Sequence, residues 1–203
     1  MIINDIHSKN VFLRRKRILT QNIAHLITEG STILDVGTGD GSIAHNIKQQ
    51  KLAAEVTGID VLIRPQTAIP VKQFDGQKIP YNDDSYDIVL FVDVLHHTND
   101  PQVLLNEAAR VAKKYVIIKD HHKNGLFARQ TLRFMDWVGN ARFGVALPYN
   151  YWSQEEWENG YRKAGLIIKE RRTALKLYPV WADWLFGRNL HSIVLLAKTH
   201  TNR

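Results

Sequence analysis

Apolar positions along the chain fall into short runs separated by segments of helical spacing. Ile33-Leu34-Asp35-Val36 runs straight into a glycine-rich turn, after which Ile43, Ala44 and Ile47 recur as on one face of a helix. Glu55–Asp60, Tyr86–His97 and Tyr115–Asp120 are further strand-like runs, and Val71–Gly76 gives a short strand followed by Asp75-Gly76. Two of them are apolar at successive positions, as in strands covered on both faces. Leu166–Tyr178 and His191–Lys198 read as the last strands. Between the runs, Asn10 to Thr28 places Val11, Leu13, Ile18, Leu19, Ile23 and Leu26 among basic and polar residues, an amphipathic helix closed by Glu29-Gly30. Asp100-Pro101 starts a helix to about Lys113, with Asp as cap and Pro in the first turn. Leu126–Trp137 reads as a helix followed by a loop from Gly139 to Gly144, and Ser153-Gln154-Glu155-Glu156 is a capping box for a helix that Gly165 ends. From Val61 to Pro70 there are two prolines and too few residues for a full crossover, which predicts an irregular connection. Alternating strands and helices predict an α/β chain with a mostly parallel sheet.

Composition narrows this picture. With 203 residues, 44% of them hydrophobic, the chain supports one sizeable core, so residues 1–203 are expected to form a single domain. No apolar run approaches the roughly 20 residues that cross a bilayer, and no signal peptide is evident, so a cytoplasmic location is expected. The absence of cysteine excludes disulfides, thiolate nucleophiles and Cys-bound zinc. A net charge of +7 admits an anionic partner, RNA or a membrane surface. Part of it is local, in Lys9, Arg14, Arg15, Lys16 and Arg17 and in Arg171-Arg172, where a solvated helix face is the plainer reading.

The chemistry concentrates at strand ends. The turn reads Gly37-Thr38-Gly39-Asp40-Gly41, with Ser42 where a dinucleotide fingerprint needs its third small residue. Asp35 in the preceding strand suits a cationic ligand better than a pyrophosphate. Here the sequence resembles the class I S-adenosylmethionine-dependent methyltransferases, in particular the small type 11 group, through Leu34–Gly41, the acid at Asp60, Asp75-Gly76 and the Leu95-His96-His97 run.

The resemblance implies a Rossmann-like, doubly wound, mostly parallel seven-stranded sheet with an antiparallel C-terminal strand. Residues 1–30 would form a helical cap and 121–152 an inserted substrate wall. It implies S-adenosylmethionine as cofactor, held by Asp35, Gly37, Thr38, Gly39, Gly41, Asp60, Asp75, Gly76, Phe91 and Val92. Asp60 would meet the ribose and Asp75 the adenine amino group. The catalytic candidates are His97, His121 and His122, with Asp93 as an orienting acid, because histidine suits proton removal near neutral pH. Asp120, Tyr149, Tyr151 and Trp152 are substrate candidates, with core packing the plainer reading of the aromatics, which bury large apolar area regardless of any ligand. In catechol-type relatives acids at the ends of strands four and five hold a metal; His121 replaces the usual Asn, and no metal ligand is assigned. The expected partner is a small-molecule acceptor. The rivals are an RNA methyltransferase, a non-catalytic S-adenosylmethionine-binding module, and a lipid or quinone substrate met at a membrane through Trp181–Phe186.

Overall fold

The structure, a computed structural model, describes residues 2–50, 55–140, 148–187 and 190–199, without the side chains of 2–12, 139–140, 181, 184 and 185. Seven strands form one sheet: β1 (Thr32–Val36), β2 (Glu55–Asp60), β3 (Val71–Gln73), β4 (Tyr86–Val92), β5 (Ala112–His121), β6 (Leu166–Arg172) and β7 (His191–Lys198), in the spatial order β3-β2-β1-β4-β5-β7-β6. The strands β3, β2, β1, β4 and β5 pair in parallel, while β7 runs antiparallel to both β5 and β6. The expected sheet is therefore present, with its antiparallel strand inserted between β5 and the edge. The chain order reverses beside β1 and β4, the crevice where open α/β sheets bind ligands.

Alternation along the strands divides the core. Leu34, Val36, Val89, Phe91, Val116 and Ile118 face one side and pack under α3 (Pro101–Val111) and α5 (Gln154–Lys163). Ile33, Ile88, Leu90 and Ile117 face the other, under α1 (Ile2–Ala24) and α2 (Ser42–Gln50). Leu19, Ile23, Leu26 and Ile27 from α1 and its following turn join Ala44 and Ile47 there. Both predicted caps form: the Asp100 side chain accepts from the Gln102 N–H, and Ser153 and Glu156 make the reciprocal capping box. No helix lies between β2 and β3, as the prolines require.

Several boundaries differ from the sequence reading. α1 begins well before Asn10 and ends at Ala24, and Leu13 is 60% exposed, on the solvent side of the helix rather than in the core. β4 stops at Val92 because Asp93 has φ 58°, outside the extended region, and a 3₁₀ turn follows over Leu95–His97. β6 ends at Arg172; beyond it Leu175 and Leu177 turn in to the α1-side core. α4 (Ala128–Asn140) extends past the expected helix, so the loop expected from Gly139 to Gly144 begins inside it and otherwise lies outside the described residues. Val180–Phe186 forms the short helix α6.

The turn after β1 is tight enough to restrict its residues. Gly37 has φ 71°, and a Cβ there would lie 2.6 and 2.7 Å from the two methyl carbons of Val94. Gly37→Ala should therefore lower stability by about 1–3 kcal/mol, from the left-handed backbone and the overlap together. In urea unfolding, Gly37→Ala/Val94→Ala should recover part of the difference between Gly37→Ala and wild type relative to Val94→Ala alone; equal costs in both backgrounds would show that the overlap contributes nothing.

Candidate active site

The carboxyl ends of the four central parallel strands each carry an aspartate. Asp35, in β1, is buried and accepts a hydrogen bond from the Thr38 hydroxyl. Burial pushes its carboxyl up to about 7; the Thr38 bond opposes this and the nearby Asp60 charge adds to it. Asp60 closes β2, and its two oxygens accept from the Gly39 N–H at 2.7 Å and the Leu62 N–H at 3.0 Å. Gly37, Gly39 and Gly41 all have positive φ, which opens the backbone of the turn toward Asp60. A Cβ at Gly39 would meet the end of the Arg64 side chain, 3.3 Å away. Asp75 lies beyond β3, where one oxygen accepts from the Gln77 and Lys78 N–H groups, both at 2.8 Å, and Gly76 has φ 77°. The side chain of Phe91 is fully buried in the α3-side core, so any ligand contact at this position is left to its backbone; Val92 is half-buried on the α1 side.

Asp93 is not a free acid. Its carboxylate pairs with Arg15 of α1 at 2.5 Å and with Lys119 of β5, whose side chain is fully buried. Burial opposes the charge, but the Lys119 and Arg15 cations outweigh it and hold Asp93 well below the usual carboxylate range. An acid so clamped stays ionised near neutral pH, and it lies 3.6 Å from His121 Nδ1, where a carboxylate can orient an imidazole but not take up a proton. Lys119 also approaches His191 Nδ1 at 3.3 Å. Arg15 thus inserts into the protein instead of lying on a solvated face. Others of the basic clusters are paired too: Lys16 with Asp40 at 3.6 Å, Arg171 with Glu158 at 2.7 Å and Arg172 with Glu170 at 2.6 Å. Such pairing leaves less of the charge for RNA than the sequence suggests.

On the opposite face of β5, Asp120 bonds His96 Nδ1 at 2.5 Å and the N–H groups of His121 and Leu95 at 2.7 and 3.0 Å. His96 Nε2 lies 3.3 Å from Asp136 of α4, and the Tyr151 hydroxyl donates to the same Asp136 oxygen. Burial lowers the His96 pKa, but Asp120 and then Asp136 outweigh it and push it up to about 10. Tyr151 stacks on His96 with ring centres 5.6 Å apart. His121 is buried between His96 and His191, and burial with the Lys119 charge keeps it neutral. His97 is half-buried; burial and the neighbouring His96 charge lower its pKa. His122 turns instead to Ser192 on β7, 2.5 Å away, and burial brings it down to about 4.

The structure therefore brings His96, His97, His121, Asp120 and Tyr151 together and leaves His122 apart. Tyr149 borders the group under Arg133, whose guanidinium lies 4.8 Å from the ring centre. Trp152 is half-buried against the core, packed on Trp157 at 4.9 Å and against Gly160 of α5, the core packing that the sequence reading admitted. Asp136 and Lys119 were missed. Both had a periodic signal: Lys119 follows Tyr115 and Ile117 on one strand face, and Asp136 follows Ala128 and Leu132 at helical spacing.

A cavity of about 460 Å³ adjoins the cluster through His191 and Tyr178 and is further lined by Arg14, Leu175 and Leu177. A second groove, about 430 Å³, lies between α1 and α2 along Lys16, Arg17, Ser42 and His45. Around α4, Leu126, Phe127, Phe134, Trp137 and Val138 are exposed. Among the described residues no helix is long and apolar enough to cross a membrane.

A family model described as a methyltransferase domain matches residues 11–170. The chain belongs to this methyltransferase family. Among curated proteins, the ubiquinone biosynthesis O-methyltransferase of Aliivibrio fischeri strain MJ11 is 29% identical over 96 residues, covering 41% of this chain and 40% of its own length. The chain thus matches less than half of that relative. Among solved structures, a protein of Thermotoga maritima titled an S-adenosylmethionine-dependent methyltransferase, possible histamine N-methyltransferase, has a TM-score of 0.64 at 20% identity, with 95% of each chain covered. The [4+2]-cyclase SpnF also has a TM-score of 0.64, at 18% identity, over 90% of this chain and 80% of its own. At these identities the structural likeness establishes the methyltransferase fold.

The buried pairing of Asp93 with Lys119 gives a direct expectation. Asp93→Asn leaves the Lys119 ammonium without its counter-charge and should cost about 3 kcal/mol or more. Asp93→Asn/Lys119→Met should recover at least half of that loss in urea unfolding. Additive losses in the double variant would mean that the pair is not coupled.

Proposed function

We propose that this chain transfers a methyl group from S-adenosylmethionine to an oxygen atom of a small-molecule acceptor. The observation that carries the reading is the turn after β1: three glycines with positive φ, facing a carboxylate at the end of β2 that already holds one of their N–H groups. These residues fit the cofactor. An open backbone admits a ligand closely, and Asp35 and Asp60 supply negative charge where a sulfonium and an ammonium would lie, whereas a pyrophosphate would be repelled. Each oxygen of Asp60 retains a lone pair for a ribose hydroxyl, and the second oxygen of Asp75 remains for an amino group.

When bound, S-adenosylmethionine supplies a methyl group on a positively charged sulfur, which leaves as the neutral thioether. The protein's part is to hold an acceptor in line and to take its proton. We assign the second task to His121, which packs beside His191 in the lining of the cavity of about 460 Å³; burial and the Lys119 charge make it a weak base, so it suits an acceptor whose hydroxyl is itself acidic. That volume accommodates a small molecule. Oxygen as the acceptor atom is supported by the relatives named O-methyltransferase.

A screen of hydroxylated aromatic and other small metabolites, with S-adenosylhomocysteine formation as the readout, should yield at least one O-methylated product. Cofactor binding without product from any acceptor class would favour the non-catalytic binding module, and product from RNA alone would favour that rival.

The Asp35 carboxyl, raised to about 7, adds a pH signature. A cationic ligand lowers its pKa, so binding near pH 6.5 should release a proton and affinity should rise from pH 6 to pH 8. Calorimetry in two buffers of different ionisation enthalpy measures the release. Asp35→Asn should abolish it, and unchanged release in that variant would assign the proton elsewhere.

A further inference from the structure

We propose that His96, His97 and Asp136 form a binding site for a divalent metal ion of the zinc type. One potential ligand atom from each of the three lies within 4.8 Å of the other two. His96 Nε2 and His97 Nδ1 are buried and have no hydrogen-bond partner among the described residues. The approach of His96 Nε2 to Asp136 at 3.3 Å is close but not aligned as a hydrogen bond. His97 Nδ1, His96 Nε2 once an ion displaces its proton, and an Asp136 oxygen are a common donor set for zinc, which takes such ligands at about 2.0–2.2 Å.

The surroundings are organised as a metal site requires. Asp120 accepts from His96 Nδ1 at 2.5 Å, leaving Nε2 as the free nitrogen, and Asp120 is itself fixed by the Leu95 and His121 N–H groups. This is the carboxylate–histidine arrangement that orients a ligand imidazole. The Tyr151 hydroxyl does the same for Asp136. The ligands come from the 3₁₀ turn and α4, so an ion would tie the inserted helix to the end of the sheet. His97 is half-buried, which leaves a side open for water or an acceptor oxygen. A second group within the same distance, His96, Asp120 and His121, is a poorer choice because both Asp120 oxygens are already committed.

The site competes with a simpler arrangement, a proton on His96 Nε2 facing Asp136, and the two are separable without reference to methyl transfer. The full chain, freed of metal by chelator, is titrated calorimetrically with zinc chloride at fixed pH, and with cobalt(II) followed by visible absorption. Stoichiometric zinc binding with micromolar or tighter affinity is expected, with cobalt bands of nitrogen and oxygen ligation. His97→Gln and Asp136→Asn should each weaken binding at least tenfold, and Asp120→Asn by about 10- to 100-fold. His25→Gln, an exposed histidine elsewhere, should leave it unchanged. Zinc should also raise the thermal transition of the wild type and not of His97→Gln, a substitution at a half-buried position, with the variant's fold checked by circular dichroism. Absence of stoichiometric binding by the wild type, or affinity unaltered in both His97→Gln and Asp136→Asn, overturns the proposal in favour of the proton.

Discussion

Charge at the carboxyl ends of parallel strands is the constraint on which the rest of this structure depends. Four neighbouring strands deliver Asp35, Asp60, Asp93 and Asp120 to one rim of the sheet, Asp35 and Asp120 buried and Asp60 and Asp93 half-buried. A buried carboxylate without compensation is costly, and each of the four is answered differently. Burial drives Asp35 toward its protonated form. Asp60 is held by backbone N–H groups, Asp93 by Arg15 and Lys119, and Asp120 by His96 and two backbone amides. The two acids beside the glycine turn retain capacity for a ligand, whereas the two farther along the sheet are spent on the protein itself.

This division explains how the helices outside the sheet are placed. Arg15 ties α1 to the sheet rim, and it reaches Asp93 because the left-handed φ at that residue ends β4 and turns its side chain toward α1. Across the sheet, α4 reaches the His96–Asp120 pair through Asp136. The helical cap and the inserted segment after β5 are thus anchored by opposite faces of one strand, Lys119 on the α1 side and Asp120 on the other. The cavity beside His191 lies next to this junction.

Much of the fold was legible because it rests on local rules. Strand runs, the Asp100 and Ser153 caps and the proline-shortened connection all follow from residues a few positions apart. The glycine turn and Asp60 were legible for the same reason, since a strand–turn–helix unit carries its own signal. The polar cluster was only half legible. Asp93, His97, Asp120 and His121 stood out as polar groups ending apolar runs, yet what each one does is set by partners far away in sequence. Arg15 is 78 residues from Asp93, and Asp136 comes from a helix whose docking no periodicity specifies. For Trp152 the sequence left core and substrate wall both open, because an aromatic in a loop gives no sign of which way it will pack; α5 supplies the surface it packs on.

The central claim is that the turn after β1, completed by Asp60, binds the methyl donor. Titration calorimetry of the intact protein and of Asp60→Ala with S-adenosylmethionine and S-adenosylhomocysteine tests it most directly. The account predicts one site for each ligand in the wild type and at least tenfold weaker binding in the variant, with its fold retained by circular dichroism. Failure of the wild type to bind either ligand, or equal affinity in Asp60→Ala, would contradict it.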